Sequence, residues 1–157
     1  MWRYDRRIGE RGTYAEVLYV DDSPADVELV RDALAAYPTL VIRTVGDGAE
    51  ALAYLRRAGV YAMAPRPELI LLDLDLPRID GRVVLAELKS DLALRTIPVI
   101  VLSGSNRTAD RALAYELGAY AYVVKPTELR TLREVARTIH EFWSEAAAPR
   151  RGLFGGG

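Results

Sequence analysis

The chain contains no cysteine and a single histidine, His140. Disulfides, thiolate metal sites and a cysteine nucleophile are therefore excluded, and a zinc site has too few of its usual donors. A surplus of charge is also missing, since 21 basic against 22 acidic side chains leave a net charge of −1. That balance offers nothing to hold a nucleic acid or an anionic membrane surface. No apolar stretch approaches the roughly 20 residues that span a bilayer. The charged start Met1-Trp2-Arg3-Tyr4-Asp5-Arg6-Arg7 has no apolar run behind it and does not read as a secretion signal. The expected location is cytoplasmic.

What is present is a core. Half of the 157 residues are hydrophobic, enough for one domain. Strand-like apolar runs begin near Glu16, Leu40, Glu68, Pro98 and Tyr120, and a helical pattern follows each. Continuous Val/Ile/Leu runs, rather than polar–apolar alternation, suit parallel strands covered on both faces. Ser23-Pro24-Ala25-Asp26 starts the first helix with a capping hydroxyl, a first-turn proline and an acid, and Val27, Val30, Leu34 and Tyr37 follow at helical spacing. Asp47 and Glu50 form a capping-box-like start for the second, which carries Leu52 and Leu55 inward. Gly81 opens a third bearing Val84 and Leu88; a fourth holds Ala112, Leu113 and Leu117 and ends at Gly118. The fifth spans about Thr127 to Glu145, with Leu129, Leu132, Ala136, Ile139 and Trp143 on one face. Five βα units imply a right-handed α/β fold, a doubly wound five-stranded parallel sheet. The expected organisation is an arm over residues 1–14, a domain over 15–146 and a flexible Gly-rich tail over 147–157.

The ends of the apolar runs carry the chemistry. Val17-Leu18-Tyr19-Val20 runs into Asp21-Asp22, and Leu69-Ile70-Leu71-Leu72 into Asp73. Val99-Ile100-Val101-Leu102 ends in Ser103, and Ala121-Tyr122-Val123-Val124 in Lys125-Pro126. Open α/β sheets bind ligands at the carboxyl edge of their strands. Three carboxylates, a hydroxyl and an ammonium there suit a divalent cation and a phosphoryl group. Crowded carboxylates repel and raise at least one pKa. Mg²⁺, which prefers carboxylate and carbonyl oxygens, relieves that repulsion. Asp73 could then attack a phosphoryl group in line, with the metal, Lys125 and Ser103 sharing the charge on its oxygens.

These motifs resemble the response-regulator receiver domain of two-component signalling, over roughly residues 15–145. The matching pieces are Asp21-Asp22, the LLDLDLPRIDG segment, VLSGS and YVVKP. The resemblance implies a (βα)5 flavodoxin-like receiver fold. It makes Asp73 the acceptor of a phosphoryl group from a phosphohistidine on a sensor histidine kinase. Asp22 and Asp73 would ligate Mg²⁺ with the backbone carbonyl of Asp75, and Asp21 would act largely through a bound water. Ser103 and Tyr122 match the switch pair, the hydroxyl moving toward the phosphoryl group and the ring turning inward behind it. Lys125 would contact the phosphoryl oxygens, and the Lys125–Pro126 bond is expected to be cis.

Two other readings compete. Asp73-Leu74-Asp75 resembles the nucleophile and acid/base pair of a haloacid-dehalogenase-type phosphatase. That motif, however, lies near an N-terminus, continues into Gly-Thr and takes its further acids downstream. A degenerate receiver used only for binding is the second, yet every chemical position is filled. One helix and a short tail follow Lys125, so the expectation is a single-domain regulator that signals through protein contacts rather than an enzyme with substrates of its own.

The long segment from Gly59 to Pro67, the long last helix and the strand-one ending Tyr-Val-Asp-Asp-Ser-Pro-Ala-Asp resemble the small response regulators that partner bacterial and cyanobacterial phytochromes. That likeness implies a light-regulated kinase, such as a bacteriophytochrome, and homodimerisation through the helix four, strand five and helix five face. Phe142 and Trp143 point about 100° apart on a helix. One of them, with the neighbouring His140, is therefore expected on a partner surface.

Overall fold

The computed structural model describes the backbone of residues 14–155 and the side chains of residues 14–143; the expected arm lies outside them except for Tyr14. Five strands, β1 (Ala15–Val20), β2 (Leu40–Val45), β3 (Leu69–Leu72), β4 (Val99–Ser103) and β5 (Ala121–Val124), alternate with α1 (Pro24–Leu34), α2 (Gly48–Leu55), α3 (Gly81–Ser90), α4 (Thr108–Glu116) and α5 (Leu129–Gly155). All neighbouring strands pair parallel, in the order β2-β1-β3-β4-β5. The continuous apolar runs have the expected cause, because alternate residues of each central strand feed two separate cores. Leu18, Val20, Ile70, Leu72, Val99 and Val101 pack with α2, α3 and the end of α4. Val17, Tyr19, Leu69, Leu71, Ile100 and Leu102 face α1 and α5. A strand with helices on both faces has no polar side to show.

The helix starts follow their caps. The Ser23 hydroxyl accepts from the Asp26 N–H at 3.3 Å, with Pro24 in the first turn. At α2 the Asp47 carboxylate accepts from the Glu50 N–H at 2.7 Å, while the Glu50 carboxylate accepts from the N–H of Gly46, one residue before the cap, at 3.3 Å, a close variant of the capping box. The long α2–β3 connection contains a short 3₁₀ turn, Gly59–Tyr61.

Four expectations need correction. Helix α4 buries Ala114, whereas Ala112 and Leu113 are exposed; a short helix with one buried contact takes its phase from docking, not from its own periodicity. Helix α5 continues in backbone to Gly155, over residues where a flexible tail was expected. The Lys125–Pro126 bond is trans, as are all described peptide bonds, in keeping with the modest trans preference of X-Pro. Finally, neither Phe142 nor Trp143 stands free. Both are half-buried against the α1/α5 core, Phe142 against Tyr120 with ring centroids 4.5 Å apart, and Trp143 donating through Nε1 to Glu68 at 2.8 Å. His140 is likewise half-buried, stacked on Tyr37 at 4.5 Å. A helix lying along a sheet covers more than one stripe, because large rings on its flanks fold back onto neighbouring elements.

Candidate functional site

Register assembles the site. Val20 pairs with Leu72, so the chain leaves both strands at the same height and Asp21 emerges beside Asp73. Backbone bonds continue the sheet past its ends, with the Asp73 N–H on the Val20 carbonyl at 3.0 Å and that of Asp21 on Val45 at 3.1 Å. Ser103 pairs with Val124, and the Lys125 N–H donates to the Ser103 carbonyl at 2.6 Å. Strands β1 and β3 are also where the winding reverses, the crevice in which open α/β sheets hold their ligands.

Lys125 occupies the centre. Its Nζ lies 2.7 Å from Asp21 Oδ2, 2.9 Å from Asp26 Oδ2 and 3.0 Å from Asp73 Oδ2, which uses all three of its protons. Burial alone would lower the pKa of this ammonium, but the three carboxylates outweigh it and hold Lys125 well above the ordinary lysine range. Asp73 is 4% exposed. Burial pushes its carboxyl above the usual carboxylate range, a rise that Lys125 and the Asp75 N–H on Oδ1 at 3.1 Å only partly oppose. Asp21, 2% exposed, accepts from the Ser23 N–H at 2.9 Å and from the buried Tyr19 hydroxyl. Burial, and then that carboxylate, push the Tyr19 phenol far up.

Asp21, Asp22 and Asp73 each bring a carboxylate oxygen within 4.8 Å of the others, and Asp22 is exposed at the mouth. Three carboxylates, two of them bonded to Lys125 and the third open to solvent, fit a hydrated divalent cation of the Mg²⁺, Mn²⁺ or Ca²⁺ type. Gly81 shapes the floor. A Cβ there would stand 2.3 Å from the Asp73 carbonyl oxygen and 2.6 Å from Leu74 Cα, so only glycine lets α3 start so close to the strand end.

Ser103 is fully buried, and its Oγ accepts from the Ser105 N–H at 3.2 Å. Tyr122 is turned inward, its hydroxyl donating to the Ser105 carbonyl at 2.8 Å and Arg111 lying 5.3 Å from its ring centroid. The Asp75 side chain points out to solvent. The structure thus gathers Asp21, Asp22, Asp73 and Lys125 into one cluster, with Ser103 and Tyr122 joined through Ser105. His140, Phe142 and Trp143 stay on α5, outside that cluster. Asp26 and Tyr19 are the members that sequence reasoning missed. Asp26 gave no separate signal, since an acid in the first turn is already accounted for by the helix dipole.

A two-core parallel sheet whose carboxyl edge joins an acidic crevice to a central lysine suits a divalent cation and a phosphoryl group. Residues 17–137 match the response regulator receiver domain family, and the chain belongs to that family. It is similar to the response regulator Rcp1 of Synechocystis, 41% identical over 133 residues that cover 82% of this chain and 88% of that one. Among solved structures it resembles the phosphorylated cyanobacterial phytochrome response regulator RcpA, with TM-score 0.80, 46% identity, and 85% and 96% of the two chains covered. The Mn²⁺-bound form of Rcp1 aligns with TM-score 0.76 and 41% identity over 82% and 94% of the two chains. Nothing in these likenesses favours a phosphatase.

Proposed function

We propose that Asp73 accepts a phosphoryl group from a phosphohistidine on a sensor histidine kinase, and that the resulting state signals through the α4–β5–α5 surface. The observation that carries this reading is the Lys125 ammonium bonded to both buried carboxylates, Asp21 and Asp73, at the sheet's reversal point. One carboxylate oxygen of Asp73 forms the new O–P bond while the P–N bond to the donor imidazole breaks, its electron pair staying on nitrogen. Lys125 follows the negative charge from the carboxylate to the phosphoryl oxygens, and the Ser103 hydroxyl donates to another of them. Asp21, Asp22, Asp73 and the Asp75 carbonyl would hold Mg²⁺, which supplies positive charge opposite those oxygens when bound. The chain catalyses only this transfer and the later loss of phosphate.

The likeness to Rcp1 and to the phytochrome response regulator RcpA supports a light-regulated kinase, of phytochrome or bacteriophytochrome type, as the cytoplasmic partner. Among the described residues, no helix is long and apolar enough to cross a membrane. A homodimer through the α4–β5–α5 face suits Leu113, Tyr115 and Tyr120, which that face exposes. It does not need His140, Phe142 or Trp143 to be free.

The test is intact-protein mass after incubation with acetyl phosphate and Mg²⁺. One phosphoryl adduct that disappears with Asp73→Asn or without the metal is expected. Steady phosphate release without an adduct would point to hydrolysis, and neither adduct nor release to a fold kept for binding.

A further inference from the structure

The guanidinium of Arg82, on the first turn of α3, ties together the two loops that flank Asp73. Its Nη1 lies 3.7 Å from Asp75 Oδ1 and 3.3 Å from both oxygens of Asp80, all on the β3–α3 side. Its Nη2 lies 3.4 Å from Asp110 Oδ1 on the first turn of α4. The other Asp110 oxygen accepts from the Ser105 hydroxyl and from Arg107 Nε, the latter at 3.1 Å. Ser105 is therefore held at three points: its hydroxyl on Asp110, its N–H on Ser103 Oγ at 3.2 Å, and its carbonyl under the Tyr122 hydroxyl at 2.8 Å. Contact is continuous from Asp75, two residues past the phosphoacceptor, through Arg82, Asp110 and Ser105 to the buried Tyr122 ring.

The Asp75 contact lies in solvent, its side chain 69% exposed, but the inner links do not. The Asp110 side chain is 14% exposed and that of Arg82 26%, and a forked guanidinium can engage carboxylates on two elements at once, as an ammonium cannot. Arg107 is 76% exposed and contributes little by comparison.

We propose that Arg82 is a positioning residue that, through Asp110, fixes the Ser105 carbonyl where it captures the Tyr122 hydroxyl, and so favours the ring-inward state that binds the phosphoryl group. The proposal rests on the phosphoacceptor reading. Whatever favours the ring-inward state must tighten binding at Asp73, and binding at Asp73 must in turn favour that state. Arg82 is the residue on which the two loops depend, because no other described cation is paired with carboxylates of both.

The test uses the full chain with beryllofluoride and Mg²⁺ as the phosphoryl mimic. Tyr122 is followed by ¹⁹F NMR of fluorotyrosine-labelled protein, with its signal assigned by Tyr122→Phe. Arg82→Gln and Asp110→Asn are each expected to weaken beryllofluoride binding about tenfold, within the usual range for coupled sites. Each should also shift the Tyr122 resonance toward its solvent-exposed position. The double variant should be no weaker than either single one, because both cut the same tie. Arg82→Lys should recover only part of the affinity. Unchanged affinity and an unmoved Tyr122 signal in Arg82→Gln would overturn the proposal while leaving the phosphoacceptor reading intact. Wild-type protein that neither binds beryllofluoride nor accepts phosphate would overturn both.

Discussion

Replacing Asp73 by asparagine should make the metal-free protein more stable and much less responsive to Mg²⁺. Asp21 and Asp73 are both buried and their oxygens lie within 4.8 Å of one another. At an effective dielectric constant of about 20, two unit charges at that distance repel by about 3.5 kcal/mol. The ammonium of Lys125, 3.0 Å from Asp73, attracts by about 5.5 kcal/mol on the same scale. Asp22, exposed and screened, adds a smaller repulsion, so the charge terms nearly cancel. Burial of the carboxylate then decides the sign, in keeping with its raised pKa. An amide of the same shape avoids that burial cost, and a gain of about 1 kcal/mol, or roughly 2–4 °C in a chain of this size, is expected in EDTA. A carboxyl whose folded pKa is raised carries no penalty below its unfolded pKa of about 3.9 and a growing one as pH rises from there through the folded pKa. The advantage of Asp73→Asn should therefore fade as pH falls toward 4. Divalent cation at about ten times its dissociation constant stabilises by about 1.4 kcal/mol, or roughly 3–5 °C, in wild type. The variant, with one ligand charge fewer, should shift by less than half of that. Scanning calorimetry in EDTA and in Mg²⁺ at pH 7 and pH 4.5 reads all four quantities. A variant that melts below wild type in EDTA, or that gains as much from Mg²⁺, would refute the reasoning.

Lys125→Met leaves Asp21 and Asp73 buried without their cation and should cost about 3–5 kcal/mol in EDTA, with Mg²⁺ restoring part of the loss in the same melts. Gly81→Ala drives a methyl into the Asp73 carbonyl and Leu74 backbone, so denaturant unfolding should show a loss of about 1–3 kcal/mol and phosphorylation by acetyl phosphate should slow. His140→Ala removes the stack on Tyr37 and should cost about 1 kcal/mol without changing the sedimentation coefficient; a shift in self-association would return His140 to a partner surface.

Much of this protein is legible along the chain because its chemistry sits at strand ends. An apolar run buried on both faces must stop where the sheet edge meets solvent, so the polar residue that stops it is placed by the same pattern that reveals the strand. Asp21, Asp73, Ser103 and Lys125 all stand at such stops. The helix caps at Ser23 and Asp47 were equally readable, since a cap bonds to a backbone only three residues away.

Tertiary structure decided whatever depended on reach between elements. Asp26 looks like a first-turn acid until α1 brings it to 2.9 Å from a lysine 99 residues later. Arg82 and Asp110 stand on different helices and meet only because α3 and α4 lie on the same face of the sheet. The inward face of α4 and the folding-back of Phe142, Trp143 and His140 likewise came from docking. By itself the sequence determined the five βα units, the acidic crevice and the residue that accepts the phosphoryl group in our reading. Which side chains hold that crevice together was settled by packing, because helical periodicity fixes spacing but not phase, and long charged side chains find partners by distance in space.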